Sequence, residues 1–283
     1  MKKVRNKVIV IVVLILLIAG AVAAFYLLPE KEVPQEEVVV IEDVVEQETI
    51  EENNRYQDNK AINDDYVGEL YFESGLLDLP VVKAQGQLSD YTFYAFNTGN
   101  AVTNYELGCE GGACTLNDVY LRKDWISGKF ELGGSTFMDY RNYISDQNII
   151  IYGHLYPKSM DKDRELMFSS LDKLLDKENY ATNSIIHLEL EHEVRTYQIA
   201  YVYLFDLTND DYDTLQYYRT NYEYDYYNDP DEGYYDEYIN KMEEVKLYDT
   251  GVKLTSNDNT LTLQTCYEAN DNLREIVVAK EIK

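Results

Sequence analysis

NTLTLQTC, residues 259–266, alternates apolar and polar side chains and then stops on a cysteine. Alternation of period two is a strand pattern. It places Leu261, Leu263 and Thr265 on one face and Thr260, Thr262, Gln264 and Cys266 on the other. The leucine face is expected to pack inward. A lone cysteine is most often an inert buried thiol. This one closes a strand on its more polar face, in a chain of only three cysteines, where a nucleophile would have a rigid mount and access to solvent.

Outward from this stretch the pattern repeats. From about Asp64 onward, short apolar runs alternate with turn-rich segments, the mark of a mostly β domain. GELYF, LPVVKA, YTFYAF, NIIIYG, SIIHLEL, VRTYQIAYVYLF, TLTLQT and EIVVAKEI are the predicted strands. Helical patterns are fewer. LMFSSLDKLLDKENY carries Leu166, Phe168, Leu171, Leu174 and Leu175 at helical spacing, and YDEYINKMEEVKLY forms a second helix between two late strands. No internal repeat is visible, so the layout is a β-barrel-like domain with a few helices.

The chain has 283 residues, enough for one sizeable domain plus appendages. Lys2, Lys3, Arg5 and Lys7 precede an almost unbroken apolar run from Val8 to Leu28, long enough for a membrane-spanning helix of about 20 residues. A cleaved signal peptide is the rival, although its apolar core is usually about 7–15 residues. The basic residues are expected to stay in the cytoplasm, leaving everything after residue 28 outside. The expected organisation is an anchor at 1–28, an acidic stalk at 29–59 and an outer domain at 60–283, which includes an acidic, tyrosine-rich insertion and helix at 209–247. A formal charge of −27 argues against a nucleic-acid partner, because phosphate binding needs lysine and arginine. Residues 209–238 interleave tyrosine with carboxylates but lack the ligand spacing of a calcium loop. They read as a solvated insertion with its tyrosines half packed.

A cysteine nucleophile needs a base or a positive charge nearby. His187 and His192, in HLELEH, are expected to face solvent. His154 differs: NIIIYGH is a continuous apolar run, consistent with a strand buried on both faces, that ends in Gly153 and this histidine. After Cys266 come the polar loop YEANDNL and the strand REIVVAKEI. If these strands form an antiparallel hairpin, Cys266 and Arg274 face each other with Cβ atoms about 4.5–5.5 Å apart. The arginine would then offer fixed donors to a developing oxyanion.

Together these residues resemble the sortases, membrane-anchored cysteine transpeptidases of Gram-positive bacteria, and most closely class B. The resemblance is carried by IIIYGH (149–154), LTLQTC (261–266) and Arg274, and extends to DYVGELYFESGLLDLPVV (65–82), STFMDYRN (135–142) and YDTGVKLTSNDNTLTLQTC (248–266). It implies an eight-stranded sortase barrel with peripheral helices, in which the strands ending in His154 and Cys266 run side by side. It also implies Cys266 as nucleophile, His154 as the proton-handling histidine, Arg274 as oxyanion stabiliser and Thr265 as a contact to the substrate backbone. The implied reaction cleaves an Asn-Pro-x-Thr sorting signal of a surface protein and passes the acyl group to an amine of peptidoglycan or a pilin. No cofactor is implied.

The chain departs from the family pattern in three places. Gln264 stands where class B usually has serine, and the text after His154 is longer than usual. In ELGCEGGACTLNDVYLRKDW (106–125) the family normally has a shorter loop. There Cys109 and Cys114 could form a disulfide outside the membrane or remain two free thiols. A metal site would lack two further ligands. Papain-like peptidases and L,D-transpeptidases fit the order and separation of His154 and Cys266 poorly. An anchored adhesion or scaffolding module with no enzymatic activity is the reading from another class, and it would have no need of a uniquely reactive Cys266.

Overall fold

The computed structural model describes residues 54–95, 98–106, 108–109, 112–208 and 234–283. The basic end and apolar run at 1–28, most of 29–59 and the acidic residues 209–233 lie outside the described residues. Among those described, no helix is long and apolar enough to cross a membrane. The first element, α1 (Asn54–Ile62), begins inside the stretch expected to be stalk. It has no apolar stripe of its own, and its anchors are specific. Tyr56 packs on Tyr66 with ring centroids 5.4 Å apart, and Arg55 and Asn59 both reach the buried Glu69 at 3.1 and 3.0 Å.

Eight strands close a barrel. In chain order the strands are β1 (Tyr66–Phe72), β2 (Asp78–Val82), β3 (Phe93–Tyr94), β4 (Ala101–Val102), β5 (Phe137–Met138), β6 (Asn148–Tyr152), β7 (Ile185–Glu189), β8 (Val194–Asp206), β9 (Thr260–Cys266) and β10 (Leu273–Glu281). The barrel runs β1-β2-β5-β6-β9-β10-β8-β7, while β3 and β4 make a separate two-stranded sheet. The predicted strand YTFYAF is therefore not a barrel strand. Its place is taken by Phe137–Met138, whose two residues bridge Val82 on one side and Tyr152 and Ile151 on the other.

Strand β9 pairs in parallel with β6 and antiparallel with β10. Leu261 and Leu263 join Ile149, Ile151, Val277 and Ala279 inside the barrel, as the alternation requires. The opposite face of β9 is also buried. Thr260 and Thr262 both donate to Asn148 Oδ1, at 3.0 and 2.8 Å, which satisfies polar groups that would be costly to bury alone. A second helix, the single turn α2 (Asp118–Leu121), lies before β5, and a third, α3 (Tyr234–Val245), covers this outer face. Tyr235, Tyr238 and Met242 of α3 pack with Ile150, Tyr203, Phe205 and Ile276. Burying each such side chain contributes roughly 1.5–3 kcal/mol. The two tyrosines at the end of the acidic stretch are thus core residues rather than half-packed ones.

Strand β8 serves both clusters through a bulge. Its pairing with β10 slips between Val278 and Ala279, so Tyr197, Ile199 and Val202 face the barrel interior while Tyr201, Tyr203 and Phe205 face α3. The segment expected as a helix around Leu166–Leu175 is a 3₁₀ helix, Met167–Leu175, not an α-helix. Phe168, Leu171 and Leu174, three residues apart, are all fully buried, which matches the threefold repeat of that helix.

Candidate active site

Parallel pairing sets the first half of the site. Tyr152 is in register with Gln264, and the Gly153 amide donates to the Gln264 carbonyl at 3.2 Å. Continuing that register brings His154 alongside Cys266 at the same end of the barrel. Gly153 is needed for this. A Cβ there would lie 2.5 Å from Cγ of the buried Phe168, whose amide donates to the His154 carbonyl at 3.0 Å.

Antiparallel pairing sets the second half. Arg274 lies directly opposite Cys266, and Glu275 opposite Thr265. Cys266 is exposed and is the free thiol among the described residues. Cys266 and Arg274 share the outward face. Thr265 turns into the barrel with only 3 % exposure, so its side chain is not open to solvent. The Arg274 guanidinium folds back on the connecting loop, Nη1 donating to the carbonyls of Asp271 at 2.7 Å and Leu273 at 2.9 Å. His187 stacks on Tyr71 with centroids 4.9 Å apart, and His192 is exposed, so neither joins the site.

The imidazole of His154 meets groups that spacing did not reveal. Its Nε2 lies 2.8 Å from the Leu121 carbonyl and against Nη1 of Arg122. Burial and the neighbouring Arg122 cation push its pKa down to about 4, against the opposing pull of the Leu121 carbonyl. It is therefore neutral at pH 7. The strand carrying it is braced by Asp139, which accepts from Tyr152 Oη at 2.9 Å, from Asn117 Nδ2 at 3.1 Å and from Arg141 through both Nε and Nη2. Burial pushes this carboxyl up, but the Arg141 fork more than offsets it and holds it below the usual carboxylate range. STFMDYRN is thus a scaffold for the end of β6.

Cys109 and Cys114 are bonded to each other, closing a small loop ahead of α2, with Cys114 packed against Phe93, Val119 and Tyr120. Arg122, Arg164 and Glu268 went unnoticed in the sequence. Each touches a residue more than thirty positions away, so no local spacing announces it.

Residues 126–282 match the sortase family, under the description "Sortase domain". This chain belongs to the sortase family. It is similar to sortase B of Listeria monocytogenes, 30% identical over 157 residues that make up 55% of this chain and 56% of the relative. With sortase B of Staphylococcus aureus it shares 30% identity over 154 residues, 53% of this chain and 55% of the other. It thus spans about half the length of the curated relatives it matches. A solved Clostridium perfringens sortase B is 26% identical with a TM-score of 0.57, covering 80% of this chain and 99% of that one. A Staphylococcus aureus sortase B–substrate complex, 24% identical with a TM-score of 0.56 and covering 81% of this chain and 85% of that one, supports the fold. Within the sortases the chain is class B-like, and its eight-stranded barrel is the sortase fold.

Proposed function

We propose that this sortase is a membrane-anchored cysteine transpeptidase, with its catalytic domain outside the cytoplasm, that acts on surface proteins bearing an Asn-Pro-x-Thr sorting signal. The observation that carries the reading is the direct pairing of Cys266 with Arg274 at the barrel end where β6 delivers His154.

Cys266 Sγ attacks the threonine carbonyl carbon as its proton passes to the neutral His154 imidazole. Arg274 swings from the loop carbonyls to the oxygen that becomes negative. Collapse breaks the C–N bond, the imidazolium returns the proton to the leaving amine, and a thioester remains on Cys266. An amine of peptidoglycan or a pilin then attacks the thioester, giving up a proton as Cys266 is released. The apolar run at 8–28 is the segment that anchors the enzyme at the membrane.

The test is turnover of an Asn-Pro-x-Thr peptide with a small amine acceptor, followed by mass spectrometry. Cys266→Ala is expected to give no ligated product, while replacing Cys109 and Cys114 together by alanine leaves most of it. His154→Ala should lose about 10²–10⁴-fold. Arg274→Lys should also be poor, because an ammonium cannot reproduce a planar fork. Ligation by the Cys266→Ala protein would sink the reading.

A further inference from the structure

Both segments that leave the site, one after His154 and one after Cys266, converge on a single buried guanidinium. Arg164 is 5 % exposed. Its Nε donates to Asp172 Oδ2 at 2.8 Å, its Nη1 donates to the Tyr156 carbonyl, and its Nη2 pairs with Glu268. Tyr156 is two residues beyond His154, Glu268 is two beyond Cys266, and Asp172 lies on the 3₁₀ helix that packs against Gly153. Glu268 also accepts from the Lys158 amide at 2.7 Å, a second tie between the same two segments. That amide, together with the Arg164 cation, holds the Glu268 carboxyl below the usual range.

The backbone shows what this arrangement demands. Among the described residues, Arg164 and Met167 are the non-glycine residues with positive φ, at 56° and 49°. Such conformations persist where the surroundings over-determine them, and they cluster at functional sites. Beside them lies a cavity of about 450 Å³ lined by Leu155, Lys158, Arg164, Asp172, Tyr267 and Glu268 among others.

We propose that Arg164 is a positioning residue that clamps the segment after His154 to the segment after Cys266 and so fixes the relative placement of the two reacting side chains. The proposal rests on the transpeptidase reading above for its effect on turnover, but not for the clamp itself. Simple neutralisation of Asp172 and Glu268 could be done by any cation. Three acceptors in three directions, one of them a backbone carbonyl, call for the rigid fork of arginine.

Two variants of the full chain test it. Glu268→Gln is made on a partly exposed side chain and is expected to melt close to the parent. Its kcat should nevertheless fall by about 10- to 100-fold with KM within about twofold, the signature of misplaced groups rather than lost substrate binding. Arg164→Lys keeps the charge and should fail to restore kcat. Amide hydrogen exchange across 156–166 should speed up in Glu268→Gln, although the change lies on the other segment. Unchanged exchange there, or kcat within twofold of the parent in both variants, would overturn the clamp. If the parent turns over no sorting peptide, the transpeptidase reading fails and the exchange measurement still decides on the clamp.

Discussion

A carboxyl group that makes no hydrogen bond inside a β-barrel works against the fold, and Glu275 is such a group. It is fully buried on the interior face of β10, and neither oxygen has a partner among the described residues. Burial drives its pKa well above the ordinary value of 4.5; Asp172 adds to the rise and Arg164 opposes it. The unfolded chain releases this proton near its ordinary pKa, while the native state keeps it to higher pH. Native stability therefore falls as pH rises from about 4.5 towards the raised folded value, by about 1.4 kcal/mol per unit. Glutamine has nearly the same shape and does not titrate. Glu275→Gln should thus melt several degrees above the parent at pH 8 and nearly level with it at pH 5, since each kcal/mol moves Tm by about 2–4 °C in a domain of this size. Melting curves at the two pH values check it. A gap that is the same at both would mean that the native carboxyl is already ionised. His154 has the opposite sign: its depressed pKa makes the native state lose stability as pH falls below about 6.5 towards 4.

Among the elements, the end of β6 packs directly against the 3₁₀ helix beside His154. Gly153→Ala would press a methyl group into the Phe168 ring, which has no room to retreat because it is fully buried among Leu171, Leu174 and the barrel core. Overpacking of this kind typically costs about 1–3 kcal/mol. Denaturant unfolding should show that loss, and peptide ligation should fall with it because His154 follows directly. Gly153→Ala combined with Phe168→Leu should recover part of the ligation; no recovery would place the fault elsewhere than in this contact. The elements that were legible in the sequence share one property. In β6, β9 and β10 the apolar pattern, the strand ends and the chemistry coincide within a few residues, so Ile149–Ile151, Leu261 with Leu263, and Cys266 with Arg274 could be placed by periodicity and pairing. Phe137–Met138 was not legible as a strand because two residues carry no period. YTFYAF does hold a strand, Phe93–Tyr94, but a good strand pattern does not say which sheet it joins. The run Phe168, Leu171, Leu174 fits both a 3₁₀ helix and one face of an α-helix, so the spacing did not choose between them. Arg122 and Arg164 acquire their meaning from tertiary contacts alone.

On the scale of the whole molecule, charge is the dominant asymmetry: −27 over 283 residues, with Asp+Glu 52 against Lys+Arg 25. Two of those carboxylates, Glu268 and Asp271, sit in the loop that joins Cys266 to Arg274. A field of this sign acts on a peptide before it docks. It raises the encounter rate of basic substrates and lowers that of acidic ones, without requiring any specific contact. Exposed charges more than about 8 Å away are largely screened at physiological salt. The effect should therefore be plain at low ionic strength and fade as salt is added. Of two sorting peptides that share the same core and differ only in lysine or glutamate flanks, the basic one is expected to show several-fold higher kcat/KM at low salt, as an order of magnitude for electrostatic steering. The two should converge as the Debye length shrinks to about 3 Å near 1 M salt. A preference that survives high salt would instead indicate a specific contact, with Asp271, whose side chain is not part of the Arg164 clamp, the first residue to neutralise. Equal rates at low salt would mean that the negative field does not reach a peptide approaching Cys266.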